Sequence, residues 1–363
     1  MGKLGISIYP ERSTFEKDKA YLDLAHKYGF KRVFTSLLEI NGDADSVLGS
    51  FKEVVDYANT LGMEVMVDIN PDLFTQLNIS YDDLSFFHEM GAYGVRLDLG
   101  FTGKEEAMMT RNPYGIKIEV NMSIGTSYID NIMSYSPNRE NLLGSHNFYP
   151  HRYSGLSKDH FFYCTGQFNK YNIHTAAFVN SHTATFGPWP TQDGLCSLED
   201  HRDLALETQV KHLVQTDKID DIMIGNAYAS EAELKAMSEA FNAEYPVLKV
   251  TLCHDISELE KKVVLDELHS YRGDRSEYIL RSTMTRVKYK DEAFPPHNTK
   301  NIERGDILVD NVEFGQYKGE LQIALKPMEN TGRVNVVGRI ADDELFLLDY
   351  VKPWSNFKLV LEK

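Results

Sequence analysis

Hydrophobic and polar positions along the first two thirds of the chain switch between two periods. Short runs with β-type alternation recur at residues 4–10 (LGISIYP), 32–38 (RVFTSLL), 64–70 (EVMVDIN), 94–100 (GVRLDLG), 116–122 (IKIEVNM), 142–148 (LLGSHNF), 174–180 (HTAAFVN) and 221–227 (DIMIGNA). The stretches between them carry helical spacing. Residues 17–29 place Tyr21, Leu24, Ala25 and Tyr28 on one face and finish in Gly29; residues 46–62 repeat the arrangement with Val47, Phe51, Val54, Val55 and Ala58 and finish in Gly62. Residues 81–91 and 199–216 predict two further helices. Eight strand–helix units in this length predict a closed (β/α)8 TIM barrel rather than an open sheet, and neither a GxGxxG turn nor a P-loop is present.

Beyond residue 240 the texture changes. VLKVTLC and a helical SELEKKVVLDELHSY precede closely spaced strand-like runs: EYILRST, GDILVDN, GELQIAL, RVNVVGRI and ELFLLDYV. That spacing predicts a smaller β-barrel domain, giving a division into residues 1–243 and 244–363.

Inside a parallel barrel a lone charge costs several kcal/mol, so ionisable residues are expected to gather at the C-terminal rim, where ligands bind. The strands end in such residues: Tyr9 and Glu11, Asp68 and Asn70, Arg96 and Asp98, Glu119 and Asn121, His146, Asn147 and Tyr149, Asn180 and His182, and Asn226 and Tyr228. Paired carboxylates among amides and aromatic rings suit glycoside chemistry, in which one acid protonates the leaving oxygen and the other attacks the anomeric carbon or activates water. Asp98 and Glu119, on adjacent strands, are the first pair, with Asp68 in reserve. Private ion pairs, Arg96 with Asp98 and Glu119 with Lys117, are the plain structural alternative.

Other chemistries find less support. Three separated cysteines argue against a disulfide framework, Cys164 beside His160 or His174 reads as packing before nucleophile, and neither GxSxG nor HExxH occurs. No metal site and no cofactor is expected. After strand six, His151, Arg152, Ser154 and Gly155 have the composition of a phosphate site and equally of a surface loop whose Ser157 caps the next helix.

A net charge of −16 disfavours nucleic acid and acidic membrane surfaces, so an anionic substrate needs a local cationic pocket. No run of eighteen apolar residues and no secretory pattern is found, which predicts a cytoplasmic protein.

SIYPE (7–11), RLDLGF (96–101), IEVNMS (118–123), HNFYP (146–150), GLCSLEDHR (194–202), PHNTKNIERGDILVDN (296–311) and YKGELQIAL resemble the bacterial 6-phospho-N-acetylmuramidase family across nearly the whole chain. The resemblance implies a TIM barrel followed by a cyclophilin-like β-barrel. It also implies hydrolysis of the β-1,4 link of N-acetylmuramic acid 6-phosphate–N-acetylglucosamine during cell-wall recycling. The partner is then a phosphorylated amino-sugar disaccharide, and a homodimer stays open. The carboxylate pair rests on strand position and not on the family. A metal-dependent sugar-phosphate isomerase or aldolase and a non-catalytic sugar-phosphate sensor are the alternatives. RSTMTR (281–286) and the loop around Pro295 and His297 either close over a barrel mouth or serve structure alone.

Overall fold

The computed structural model describes residues 2–37, 44–69, 74, 79–190 and 192–362. It divides into two compact units, Met1–Phe241 and Asn242–Lys363.

In the first unit β1 (Leu4–Ser7), β2 (Arg32–Ser36), β3 (Glu64–Ile69), β4 (Gly94–Leu97), β5 (Lys117–Asn121), β6 (Leu142–Ser145), β7 (His174–Val179) and β8 (Asp221–Ile224) form a closed parallel barrel. Each strand pairs with the next, and β8 pairs with β1. The strands are shorter than the alternation predicts, because ladder pairing stops where the chain turns toward the helices. Tyr9, Asp98, His146, Asn147, Asn180 and Asn226 therefore sit just past strand ends rather than on them.

Register sorts the side chains into two sets. Ile6, Val33, Val65, Val67, Val95, Leu97, Ile118, Val120, Ala177, Val179, Ile222 and Ile224 are buried in one apolar cluster with helix residues such as Leu22, Val54, Phe87 and Ile132. The alternate set, aligned across neighbouring strands, fills the bore: Arg32 beside Gly5, Asp68 beside Arg96, Arg96 beside Glu119, Asn121 beside Ser145, and Phe178 beside Met223.

Local signals set the helices. Thr14 caps Phe15–Lys27 by accepting from the Lys17 N–H, and Gly29 follows with a φ of 82°. The second helix is Ala44–Thr60, with Gly62 at a φ of 68°. Ser157 caps Lys158–Asn169. The segment expected as one helix over 199–216 is a 3-10 turn, Glu199–His201, followed by a helix, Leu206–Thr216, and the one expected over 81–91 is helical only at Ser85–Met90.

The second unit is a seven-stranded, nearly closed barrel-like sheet. It contains β9 (Val247–Leu252), β10 (His269–Ser270), β11 (Ile279–Ser282), β12 (Asp306–Asp310), β13 (Leu321–Ala324), β14 (Val334–Ile340) and β15 (Asn356–Leu361), in the order β10-β15-β9-β14-β12-β13-β11. ELFLLDYV, expected as a strand, is the 3-10 segment Asp342–Tyr350; the buried Glu344 there accepts from the Lys249 N–H at 2.7 Å, which ties the segment to β9 instead of pairing it. β15 lies between β10 and β9 and runs parallel to β9.

Candidate active site

The bore is charged from end to end, not only at its rim as expected. At its N-terminal floor Arg32 donates to Glu119 at 2.6 Å and to Asp221 at 2.8 Å, and His174 meets Asp221 at 3.0 Å. Toward the other end Arg96 donates from Nη1 to Asp68 at 2.7 Å, from Nε to Ser145 at 2.8 Å, and from Nη2 to Asn147. The same Nη1 lies 3.6 Å from Asp98, and Nε lies 4.0 Å from Glu119. Signs alternate along the series, so each buried charge has an opposite neighbour, and that pairing makes a polar bore tolerable. A cleft of about 200 Å³ opens at the N-terminal end, lined among others by Lys3, Arg32, Glu64, Lys117, His174 and Asp221.

At the C-terminal end, Asp68, Arg96, Asp98, Asn121, Asn147 and Tyr149 come together. Asn121 donates to the Asp98 carbonyl and accepts from the Ser123 N–H at 2.9 Å, and the Asn147 N–H donates to the Ser123 hydroxyl at 2.9 Å. Asp98 is the accessible acid of the group, its side chain 37% exposed against 5% for Asp68 and 2% for Glu119. Burial pushes the Asp68 carboxyl up to about 7; Arg96 opposes this, and the negative charges of Asp98 and Glu119 reinforce it. Tyr149 is raised by burial and lies within the fields of Arg96 and Asp98.

The other expected residues serve different ends. Glu119 points into the bore and pairs with Arg32 on its floor side, while Asp68 and Asp98 both approach one guanidinium nitrogen of Arg96. The alternative partner Lys117 instead donates to the Glu140 carbonyl and to Asn141.

His146 faces the helix layer. It is stacked on Phe161 at 4.1 Å, bonded to Ser123 and Thr165, and burial drives its pKa down to about 3. Asn180 and Asn226 both bond the backbone of the loop after β7 (Arg202 and Leu195; Ser181 and Ala184) and one another. The Tyr9 hydroxyl donates to the Gly225 carbonyl, Glu11 is exposed in the turn Pro10–Arg12, and Asn70 lies outside the described residues.

The loop after β6 already carries its anion. Glu199 accepts from the Tyr153 and Gly155 N–H groups at 2.7 and 2.8 Å and pairs with Arg202, while Arg152 forms a two-point pair with Asp203. That geometry fits a capped surface loop rather than an open phosphate cradle.

Sequence reasoning passed over Arg32, Asp221, Ser123 and Ser145. Arg32 and Asp221 open their strands with a charge on the inward parity, and that was the available signal. Among the described residues no group of three or more His, Cys, Asp and Glu side chains is placed to hold a metal ion, and no helix is long and apolar enough to cross a membrane.

Comparison with known proteins places this site in context. A family model described as "6-phospho-N-acetylmuramidase, N-terminal" matches residues 4–239, and one described as "6-phospho-N-acetylmuramidase, C-terminal" matches residues 246–360. The crystal structure of an uncharacterized B. cereus protein is similar at 49% identity, with a TM-score of 0.90 and 99% of both chains covered. A conserved protein from Enterococcus faecalis, of unknown function, shares the fold at 24% identity, with a TM-score of 0.76 over 99% of this chain and 96% of its own. No curated protein matches.

Proposed function

The chain belongs to the 6-phospho-N-acetylmuramidase family, and on that premise we propose that it is a cytoplasmic glycosidase that hydrolyses the β-1,4 link between N-acetylmuramic acid 6-phosphate and N-acetylglucosamine during cell-wall recycling. The observation that carries the assignment of roles is the sharing of Arg96 Nη1 by Asp68 at 2.7 Å and Asp98 at 3.6 Å. Two carboxyl groups on one cation, one buried and one at the rim, are the pattern that separates an acid from its partner.

Asp68 is the general acid. With its pKa raised to about 7 it is protonated in roughly half of the molecules at neutral pH and can deliver that proton to the departing glycosidic oxygen. Asp98, exposed toward the mouth and ion-paired with Arg96, attacks the anomeric carbon. A nucleophilic Asp98 implies retention: water then hydrolyses the glycosyl ester, with Asp68 taking its proton, and the anomer of the first-formed product checks this. Arg96, held in place by Ser145 and Asn147, orients both acids, and Asn121 fixes the backbone of Asp98.

The test is incubation with the phosphorylated disaccharide and measurement of free N-acetylglucosamine. Release by the wild-type protein that falls sharply in Asp68→Asn and Asp98→Asn separately is the expected result. Absence of release by the wild type would sink the reading, and activity abolished by a strong chelator would favour the metal-dependent alternative.

A further inference from the structure

The RSTMTR segment and the YKGELQIAL motif meet in the second unit, in a cluster that the glycosidase reading does not use. Register places Arg281 opposite Gln322 and Gln322 opposite Leu308, so Arg281, Gln322, Glu320 and Asp310 share one face of β11, β13 and β12. The other face carries Leu280, Ile307, Val309, Leu321 and Ile323 into the apolar core.

Glu320 is fully buried. Arg281 Nε meets its Oε1 at 2.6 Å, and Arg286 Nη1 approaches its Oε2 at 3.2 Å. Each guanidinium thus uses one nitrogen, and the side chains of both remain about a quarter exposed. The Tyr317 ring lies 5.8 Å from the Arg281 head and 4.8 Å from that of Arg286, a shared surface that orients the two planes.

Asp310 lies beside Glu320. Its Oδ2 accepts from Gln322 at 2.9 Å, while its buried Oδ1 has no hydrogen-bond partner among the described residues. Burial, reinforced by the Glu320 charge and opposed by Arg281 and Arg286, pushes Asp310 up to about 8, so at neutral pH it is mostly protonated and adds little negative charge. Two guanidinium groups then stand over a single carboxylate, a local cationic excess in a chain of net charge −16.

The geometry points to a phosphate-binding site in the second unit, formed by Arg281 and Arg286 over Glu320 and Tyr317 and taking the phosphate of a small phosphomonoester. A phosphate offers three acceptor oxygens and about −1.5 to −2 charges, enough to engage the unused N–H donors of both forks. A carboxylate, with two oxygens, satisfies one fork only. The nearby Arg272 is taken up by a two-point contact with Asp274 and stays outside the site.

The experiment is isothermal titration of the full chain with inorganic phosphate at pH 7 and low salt, beside acetate. Arg281→Lys and Arg286→Lys each keep a counter-charge for Glu320, so folding is retained, but lose the planar fork; each should weaken phosphate binding about tenfold or more. Arg152→Gln, in the loop after β6, should leave it unchanged. The proposal is overturned by a wild-type chain that takes up no phosphate at millimolar concentration, by unchanged affinity in both lysine variants, by loss in Arg152→Gln alone, or by equal affinity for acetate. A chain that binds phosphate through these arginines yet cleaves no glycoside would sink the catalytic reading and leave this one standing.

Discussion

Asp68 and Asp98 differ in environment more than in chemistry, and their assigned roles follow from that difference. Removing the acid by Asp68→Asn should lower kcat/KM by about 10²–10⁴-fold, measured by sugar release. Glu119 offers a sharper check, because its charge helps to keep Asp68 protonated without being free to react. In Glu119→Gln the upper limb of the pH–rate profile, where activity falls as Asp68 loses its proton, should move to lower pH while turnover below that limb persists. An unchanged limb with turnover abolished throughout would instead return Glu119 to the reacting pair. Both acids and Arg96 were legible in the sequence as charges on inward positions. Which acid shares a cation with which was not, since Arg32 reaches Glu119 from 87 residues away.

At the scale of elements, short pieces are held by side chains that satisfy backbone donors. Glu199 supports the loop after β6 through two N–H groups and the buried Arg202, so Glu199→Ala should cost about 2 kcal/mol in denaturant unfolding, below the figure for a fully buried pair because Glu199 is itself 23% exposed. Ser257 and Glu260 form a reciprocal cap on Glu258–Leu265, and Ser257→Ala should cost about 1 kcal/mol by the same measurement. Strand parity was readable and decides one case outright. A two-residue period through β6 puts Ser145 and Asn147 in the bore with Arg96 and turns His146 out toward Phe161. The 3-10 segment Asp342–Tyr350 was not readable, because its apolar run is equally at home in a strand and only a tertiary contact with Lys249 decides.

For the whole molecule, buried ionisable groups make stability depend on pH in two directions. His146 is lowered to about 3 and His212 to about 4, and His201 is also lowered by burial. Unfolding lets these rings take up protons below their ordinary pKa of 6.5, so their contribution is fully present above that value and is lost as pH falls toward the folded values. Asp68 acts oppositely: raised from 3.8 to about 7, it holds a proton that the unfolded chain has released, so stability falls as pH rises through that window. Melting temperatures of Asp68→Asn and wild type should therefore differ more in favour of the variant at pH 8 than at pH 5; a pH-independent difference would contradict the raised carboxyl. By itself the sequence determined the two hydrophobic periods, the eight-fold strand–helix order, the β-rich second unit and the family, because these depend on spacing along the chain. Only the tertiary structure decided the partner of each charge, since barrel closure brings β1 against β8 and aligns side chains from distant strands, and an ion pair forms where distance in space allows it.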